Sequence, residues 1–181
     1  GAKYFESFAK ADTIVFDKTG TLTEAQPRLA CVLTTDGWSE DEVLRLSACL
    51  EEHFPHPVAR AVVNAARERG LEHRERHAAV EYIVAHGIAS SIEGRRAIIG
   101  SAHFVFEDEG AQLESDIKEQ IESQMQGLSP LYLAVDGIVV GVLGIEDPLK
   151  PGVREAIANL HALGVKHVVM LTGDSERTAE R

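Results

Sequence analysis

The sequence predicts an α/β protein interrupted by an inserted α+β unit, and three observations carry that reading. An apolar, strand-forming run at 13–16 leads straight into a small, polar, glycine-containing turn that reaches Thr23. A helical pattern over 152–163, an apolar run over 166–171 and a second polar turn, Thr172-Gly173-Asp174-Ser175, give a similar arrangement at the other end. The stretch between them, roughly a hundred residues, is rich in hairpin and helix signals, and termini in one domain with an insertion in another is a common plan.

Within the insertion each element has its own signal. The run over 29–35 alternates and closes at Asp36-Gly37. Ser39 has the character of a helix N-cap, followed by acidic Glu40, Asp41 and Glu42. Val43, Leu46, Ser47 and Leu50 then share one helical face. His53-Phe54-Pro55-His56-Pro57 ends that helix, because two prolines so close cannot continue it. Pro57 suits the first turn of the next helix, which Gly70 ends. From 79 to 100 the pattern is strand-like, with a hairpin at Glu93-Gly94. A polar helix is predicted over 112–125. The clearest hairpin turns at Asp136-Gly137, between runs at 131–135 and 138–145. The expected division is 1–27 plus 138–181 for the discontinuous α/β domain, and 28–137 for the insertion. No internal repeat or low-complexity tract is present.

Composition excludes several classes. The 181 residues are 44% hydrophobic and 26% charged, ordinary for a soluble globular protein. A formal net charge of −11 argues against nonspecific binding to nucleic acid or anionic membrane. A site for a polyanion must therefore be built from local cations, backbone N–H groups and a metal ion. Cys31 and Cys49 lie among apolar neighbours outside any Cys-x-x-Cys spacing, so buried free thiols are expected, as in a reducing cytosolic compartment. No stretch approaches the run of about 18 apolar residues that a spanning helix needs. No signal peptide is evident. Both ends read as mid-element, the first as a helix joined in midstream, so a piece of a longer polypeptide is expected.

The most informative residues are Ile14-Val15-Phe16-Asp17-Lys18-Thr19-Gly20-Thr21-Leu22-Thr23. A strand that delivers one carboxylate into such a turn presents a nucleophile where open α/β sheets bind ligands. Aspartate is a covalent catalyst of phosphoryl transfer, through an aspartyl phosphate. An ordinary strand with an Asp-initiated turn is the alternative, and seven specified positions behind the strand argue against it.

Asp17-Lys18-Thr19-Gly20-Thr21 resembles the phosphorylation motif of P-type ATPases, ion pumps of the haloacid-dehalogenase-like superfamily. Asp147-Pro148-Leu149-Lys150-Pro151 resembles their hinge-side element. Thr172-Gly173-Asp174 resembles the element that closes on the transferring phosphate. His56-Pro57 is similar to the His-Pro pair of the heavy-metal-transporting branch, and Glu51 matches its adenine-contacting glutamate.

The resemblance implies a haloacid-dehalogenase-like, Rossmann-like phosphorylation domain, incomplete at its carboxyl end. It also implies an inserted nucleotide-binding domain on an antiparallel sheet. By the same resemblance Asp17 attacks the γ-phosphate of ATP, Mg²⁺ is held by Asp17 and the backbone carbonyl of Thr19, and Lys18 and Thr172 add donors. Gly173 and Asp174 complete the closing element. Glu51 and His56 would contact adenine, Gly87, Gly100 and Ser101 would line the nucleotide, and Asp147 and Lys150 would sit at the hinge.

Thr19 stands where phosphatases of the superfamily carry a second aspartate. It activates water poorly, which favours a persistent acyl phosphate and a pump. Three departures from the family pattern bear on nucleotide affinity: Pro55 replaces the glutamate before the histidine, Ala85-His86-Gly87 keeps only the second glycine of a Gly-x-Gly loop, and Ser101 replaces an asparagine. The implied partners are ATP, transmembrane helices and an actuator domain at the cytosolic face of a membrane, with no nucleic acid. The downstream lysine and second Mg²⁺-binding segment of the family are absent from these 181 residues. On that ground the chain alone is expected to be soluble, inactive in turnover and prone to self-association or domain swapping at an open strand edge near 166–171. A soluble phosphatase with a cap, or a non-catalytic nucleotide-binding module, are the competing readings. The transported ion is not legible.

Overall fold

The computed structural model describes residues 10–71, 81–83, 87–92 and 94–171. Strand β1 (Thr13–Asp17) runs into the turn Lys18–Leu22, and β2 (Arg28–Thr34) follows. Helices α1 (Glu40–Glu51) and α2 (Pro57–Glu68) come next, then β3 (Glu81–Ile83), β4 (Gly87–Ile92) and β5 (Arg95–Gly100). A wide helical turn (His103–Asp108) leads to α3 (Ser115–Gln124), β6 (Ser129–Val135) and β7 (Ile138–Glu146). The described residues end with α4 (Val153–Ala162) and β8 (His167–Leu171).

These strands form two sheets. One is antiparallel, six-stranded, in the order β2-β7-β6-β5-β4-β3; the other is the parallel pair β1-β8. Strand β7 therefore lies inside the six-stranded sheet, paired with β2 on one side and β6 on the other. The expectation that residue 138 begins the return to the α/β domain does not match this pairing. The inward hairpin partner of β6 cannot leave the sheet that β6 belongs to, and the chain crosses back only after Glu146.

Alternation along the strands seals both faces of the large sheet. Ala97, Ile99, Leu133, Val135 and Leu143 face α1 and α2, where Val43, Leu44, Leu50 and Val62 complete one core. Ala89, Ile98, Tyr132, Ala134 and Val142 face the other way, onto Phe104, Val105, Ile117 and Met125. Gly141 permits the close approach of α1: a Cβ there would stand 2.5 Å from Val43.

Local chemistry explains the element ends. Ser39 makes a full capping box: its Oγ accepts from Glu42 N–H and the Glu42 carboxylate accepts from Ser39 N–H at 2.9 Å. That bonding holds the Glu42 carboxyl below its usual range. Asp136 (φ 51°) and Gly137 (φ 81°) both take positive φ, as a two-residue type I′ hairpin demands. The Asp136 carboxylate also accepts from Arg95 Nε at 2.7 Å and from Arg96 N–H at 3.0 Å.

The helix predicted over 112–125 starts later, at Ser115. Gln112 instead bonds both Gly137 and Val139 through its backbone, extending the sheet beside β7. No local signal predicts the turn His103–Asp108, which buried Phe104 and Val105 anchor. Cys31 and Cys49 are both free thiols; Cys49 is buried as expected, whereas Cys31 is only half-buried. The helix expected at the start of the chain and the turn at 172–175 lie outside the described residues.

Candidate functional site

Asp17 ends β1, exposed, in register with Leu171 at the end of parallel β8. Both strands thus deliver their carboxyl ends to one place, the usual site of ligand binding in such sheets. Thr172, Gly173 and Asp174 follow β8 directly in the chain but lie outside the described residues.

The turn after Asp17 is defined by its backbone. Thr19 (φ −73°, ψ 120°) and Gly20 (φ 79°, ψ −14°) are the central residues of a type II turn, which requires the positive φ that glycine supplies. Lys18 is buried at 9% exposure, whereas Thr19 and Gly20 are exposed. The N–H of Thr23 returns to the Lys18 carbonyl at 3.1 Å and closes the loop.

A second segment, 147–150, crosses behind this turn. Glu24 N–H donates to the Pro148 carbonyl at 2.9 Å and Lys150 N–H to the Leu22 carbonyl at 2.8 Å. The Lys150 ammonium donates to the Gly20 carbonyl. Thr23, only 2% exposed, donates its hydroxyl to Asp147 Oδ2 at 2.5 Å. The two passages between the sheets are therefore bonded to each other and to the turn after Asp17. Asp147 and Lys150, expected at the hinge, are at that crossing and address the turn's backbone. Thr23 ends the motif, and the residue pattern assigns it no role: its partner lies 124 residues away, and no local signal announces it.

The residues expected around a nucleotide lie on the large sheet. Gly87 and Gly100 are direct register partners at one end of β4 and β5. Leu50, the residue before Glu51, shares a core with Ile88 and Ile99, the neighbours of those glycines. Glu51 is buried at 8% exposure, and burial pushes its carboxyl up to about 7. His56 caps α2: its Nδ1 accepts from Val58 N–H at 3.3 Å, and Pro57 follows at the first helical position.

Two of these positions have packing reasons of their own. A Cβ at Gly87 would stand 2.2 Å from the Phe104 ring and 2.6 Å from the Ile99 carbonyl, so this glycine makes room for the ring. Ser101 accepts the Phe104 N–H at 3.3 Å and caps the following turn. Ala85 and His86 lie outside the described residues.

Comparison with known proteins follows the same lines. Residues 11–181 match the family model for the haloacid dehalogenase-like hydrolases. A copper-exporting P-type ATPase of Legionella pneumophila is 39% identical over 179 residues, 99% of this chain but 24% of its own length. The chain thus spans about a quarter of that relative. Among solved structures, a zinc-transporting PIB-type ATPase in its E2·Pi state superposes with a TM-score of 0.69 at 30% identity, over 99% of this chain and 28% of its own. The separate N-domain of HMA8, a copper-transporting P-type ATPase, matches 64% of this chain and 97% of its own, with a TM-score of 0.56 at 25% identity. With an exposed aspartate at the end of a parallel strand and a likeness to heavy-metal P-type ATPases along nearly all its length, the chain belongs to the haloacid dehalogenase-like hydrolase family.

Proposed function

We propose that this chain is the ATP-binding and phosphorylation part, on the cytosolic face of a membrane, of a P-type ATPase that moves heavy-metal cations. The observation that carries it is Asp17 at the carboxyl end of β1, in a turn whose backbone is bonded to the second passage from the sheet. In this reading the Asp17 carboxylate attacks the γ-phosphorus of ATP. A carboxyl O–P bond forms, the bond to the bridging β,γ-oxygen breaks, and ADP leaves.

The inserted unit would hold the nucleotide, and its boundaries are best drawn at 28 and 146, following the strand pairing. Glu51 and His56, at the end of α1 and the start of α2, would approach the adenine. Gly87, Gly100 and Ser101, at the near end of β4 and β5, would line the same side. Thr172, Gly173 and Asp174 would close on the phosphate.

Among the described residues no three His, Cys, Asp or Glu side chains gather as a metal cluster. Mg²⁺ does not need one. It binds through one or two protein oxygens, substrate phosphate and water, so the Asp17 carboxylate and Thr19 carbonyl suit it. When bound, the ion would neutralise charge on the transferring phosphoryl group. Lys18 adds positive charge to the turn. Thr19 leaves no second carboxylate to activate water, which preserves the acyl phosphate. No described helix is long and apolar enough to cross a membrane, so transport would require transmembrane helices and an actuator domain elsewhere in the polypeptide. The relatives include a copper exporter and a zinc transporter, so the ion itself is left open.

The test is phosphorylation of the full-length protein by γ-labelled ATP with Mg²⁺. Acid-stable, hydroxylamine-labile label that disappears in Asp17→Asn is expected. Label that survives in Asp17→Asn rejects the assignment.

A further inference from the structure

The Thr19–Gly20 peptide is the central peptide of the type II turn. Types I and II differ by a flip of that peptide, which reverses the direction of its carbonyl. No peptide bond in the described chain is cis, so the Thr19 carbonyl and the Gly20 N–H lie in one plane and point in opposite directions. Whatever holds the Gly20 N–H therefore aims the Thr19 oxygen.

The Gly20 N–H donates to Thr23 Oγ1 at 3.1 Å. That hydroxyl has a single proton to give. It stands 3.3 Å from the Lys18 carbonyl but 2.5 Å from Asp147 Oδ2, so the proton goes to the carboxylate. With its proton committed, the hydroxyl presents its lone pairs to Gly20. The other Asp147 oxygen is buried with no hydrogen-bond partner, so among the described residues Thr23 is that carboxylate's one hydrogen-bond donor. The following carbonyl, of Gly20, is fixed separately by Lys150. Both polar groups of Gly20 are thus held from the crossing segments, and the Thr19 carbonyl is turned away from them.

We propose that Thr23, backed by Asp147, is a positioning residue that locks the Thr19–Gly20 peptide in the orientation presenting the Thr19 oxygen to a divalent cation beside Asp17. This rests on the phosphorylation role proposed above. It adds that the metal site is tuned from the passage between the two sheets, through one hydroxyl that touches neither metal nor phosphate.

The experiment is a Mn²⁺ titration of the 181-residue chain, read by paramagnetic broadening of the Gly20 and Thr21 amide resonances. In the unmodified chain the broadening is expected to saturate and to vanish in Asp17→Asn. Thr23→Val, which removes the hydroxyl at nearly constant shape, should raise the Mn²⁺ dissociation constant at least fivefold. Thr23→Ser should restore it to within twofold, and Asp147→Asn should weaken binding two- to threefold. ATP binding in excess EDTA should stay within twofold in the two Thr23 variants, as should the amide spectrum of the six-stranded sheet; a merely structural role would disturb both. If the unmodified chain shows no Asp17-dependent broadening, the metal-binding reading of the turn falls and this inference with it. If that broadening is present and Thr23→Val binds Mn²⁺ as tightly as the unmodified chain, the inference alone falls.

Discussion

The two sheets of this molecule are built from the same kinds of residue and are treated very differently. In the six-stranded sheet Ile99, Leu133, Val139, Val142 and Leu143 are fully buried, with helices or helical turns on both faces. In the parallel pair Val15 is 52% exposed, Val169 42% and Leu171 61%, and α4 buries none of its described residues. Parallel sheets are normally covered on both sides, so the pair as described is an uncovered element. Stability is concentrated in the unit read as nucleotide-binding. Asp17, the proposed nucleophile, sits on the thinner element, and the turn after it is bonded to the crossing at 23–24 and 147–150 rather than packed in a core of its own.

The largest effect that would break this comparison is in the cores. Leu133→Ala should cost about 2–5 kcal/mol of unfolding free energy, measured by urea denaturation. Val169→Thr, on the exposed pair, should stay within about 0.5 kcal/mol. Equal costs would show that the parallel pair is part of the same cooperative core.

Next comes pH. Burial raises the Glu51 carboxyl to about 7, so the fold favours its neutral form. Below the unfolded value both states are protonated and the contribution is fully kept; it is lost as pH rises through the folded value. Glu51→Gln should therefore match the unmodified chain near pH 4.5 and exceed its stability by about 3 kcal/mol near pH 8.5. Denaturation curves at the two pH values check it, and parallel curves would refute the buried-carboxyl account.

Gly87→Ala should cost about 1–3 kcal/mol, because the added carbon meets the Phe104 ring and the Ile99 carbonyl. Gly144→Ala should cost less, since its nearest neighbours are the side-chain ends of Cys31, Leu128 and Met125, which can shift. The melting temperatures of the two variants order them. The smallest effect is at the helix start: Ser39→Ala should cost about 1 kcal/mol through loss of the capping box.

Legibility followed the range of the interactions. Ser39, Pro57, Asp136 and Gly137 act on their immediate neighbours, so cap, helix start and hairpin were readable from residue type and spacing. The motif at Asp17 was readable for the same reason. The resemblance implies that Gly87 lines a nucleotide, whereas its contact with Phe104 comes from a segment whose turn carries no local signal. The placement of β7 is not legible in the residues, because a hairpin signal at Asp136-Gly137 says only that two strands pair. It does not say that β2, a hundred residues earlier, pairs with the far edge.

The amino-acid sequence by itself determined the local geometry of this protein: a strand that must stop at Asp17, a turn that needs Gly20, helices that must start at Ser39 and Pro57. Those outcomes depend on steric limits and hydrogen bonds within a few residues. Only the tertiary structure decided that Thr23 meets Asp147, that Lys150 reaches the Gly20 carbonyl and that β7 belongs with β2. These are contacts between segments more than a hundred residues apart, and they depend on where the cores on both sides of the large sheet place each passage rather than on any local steric limit.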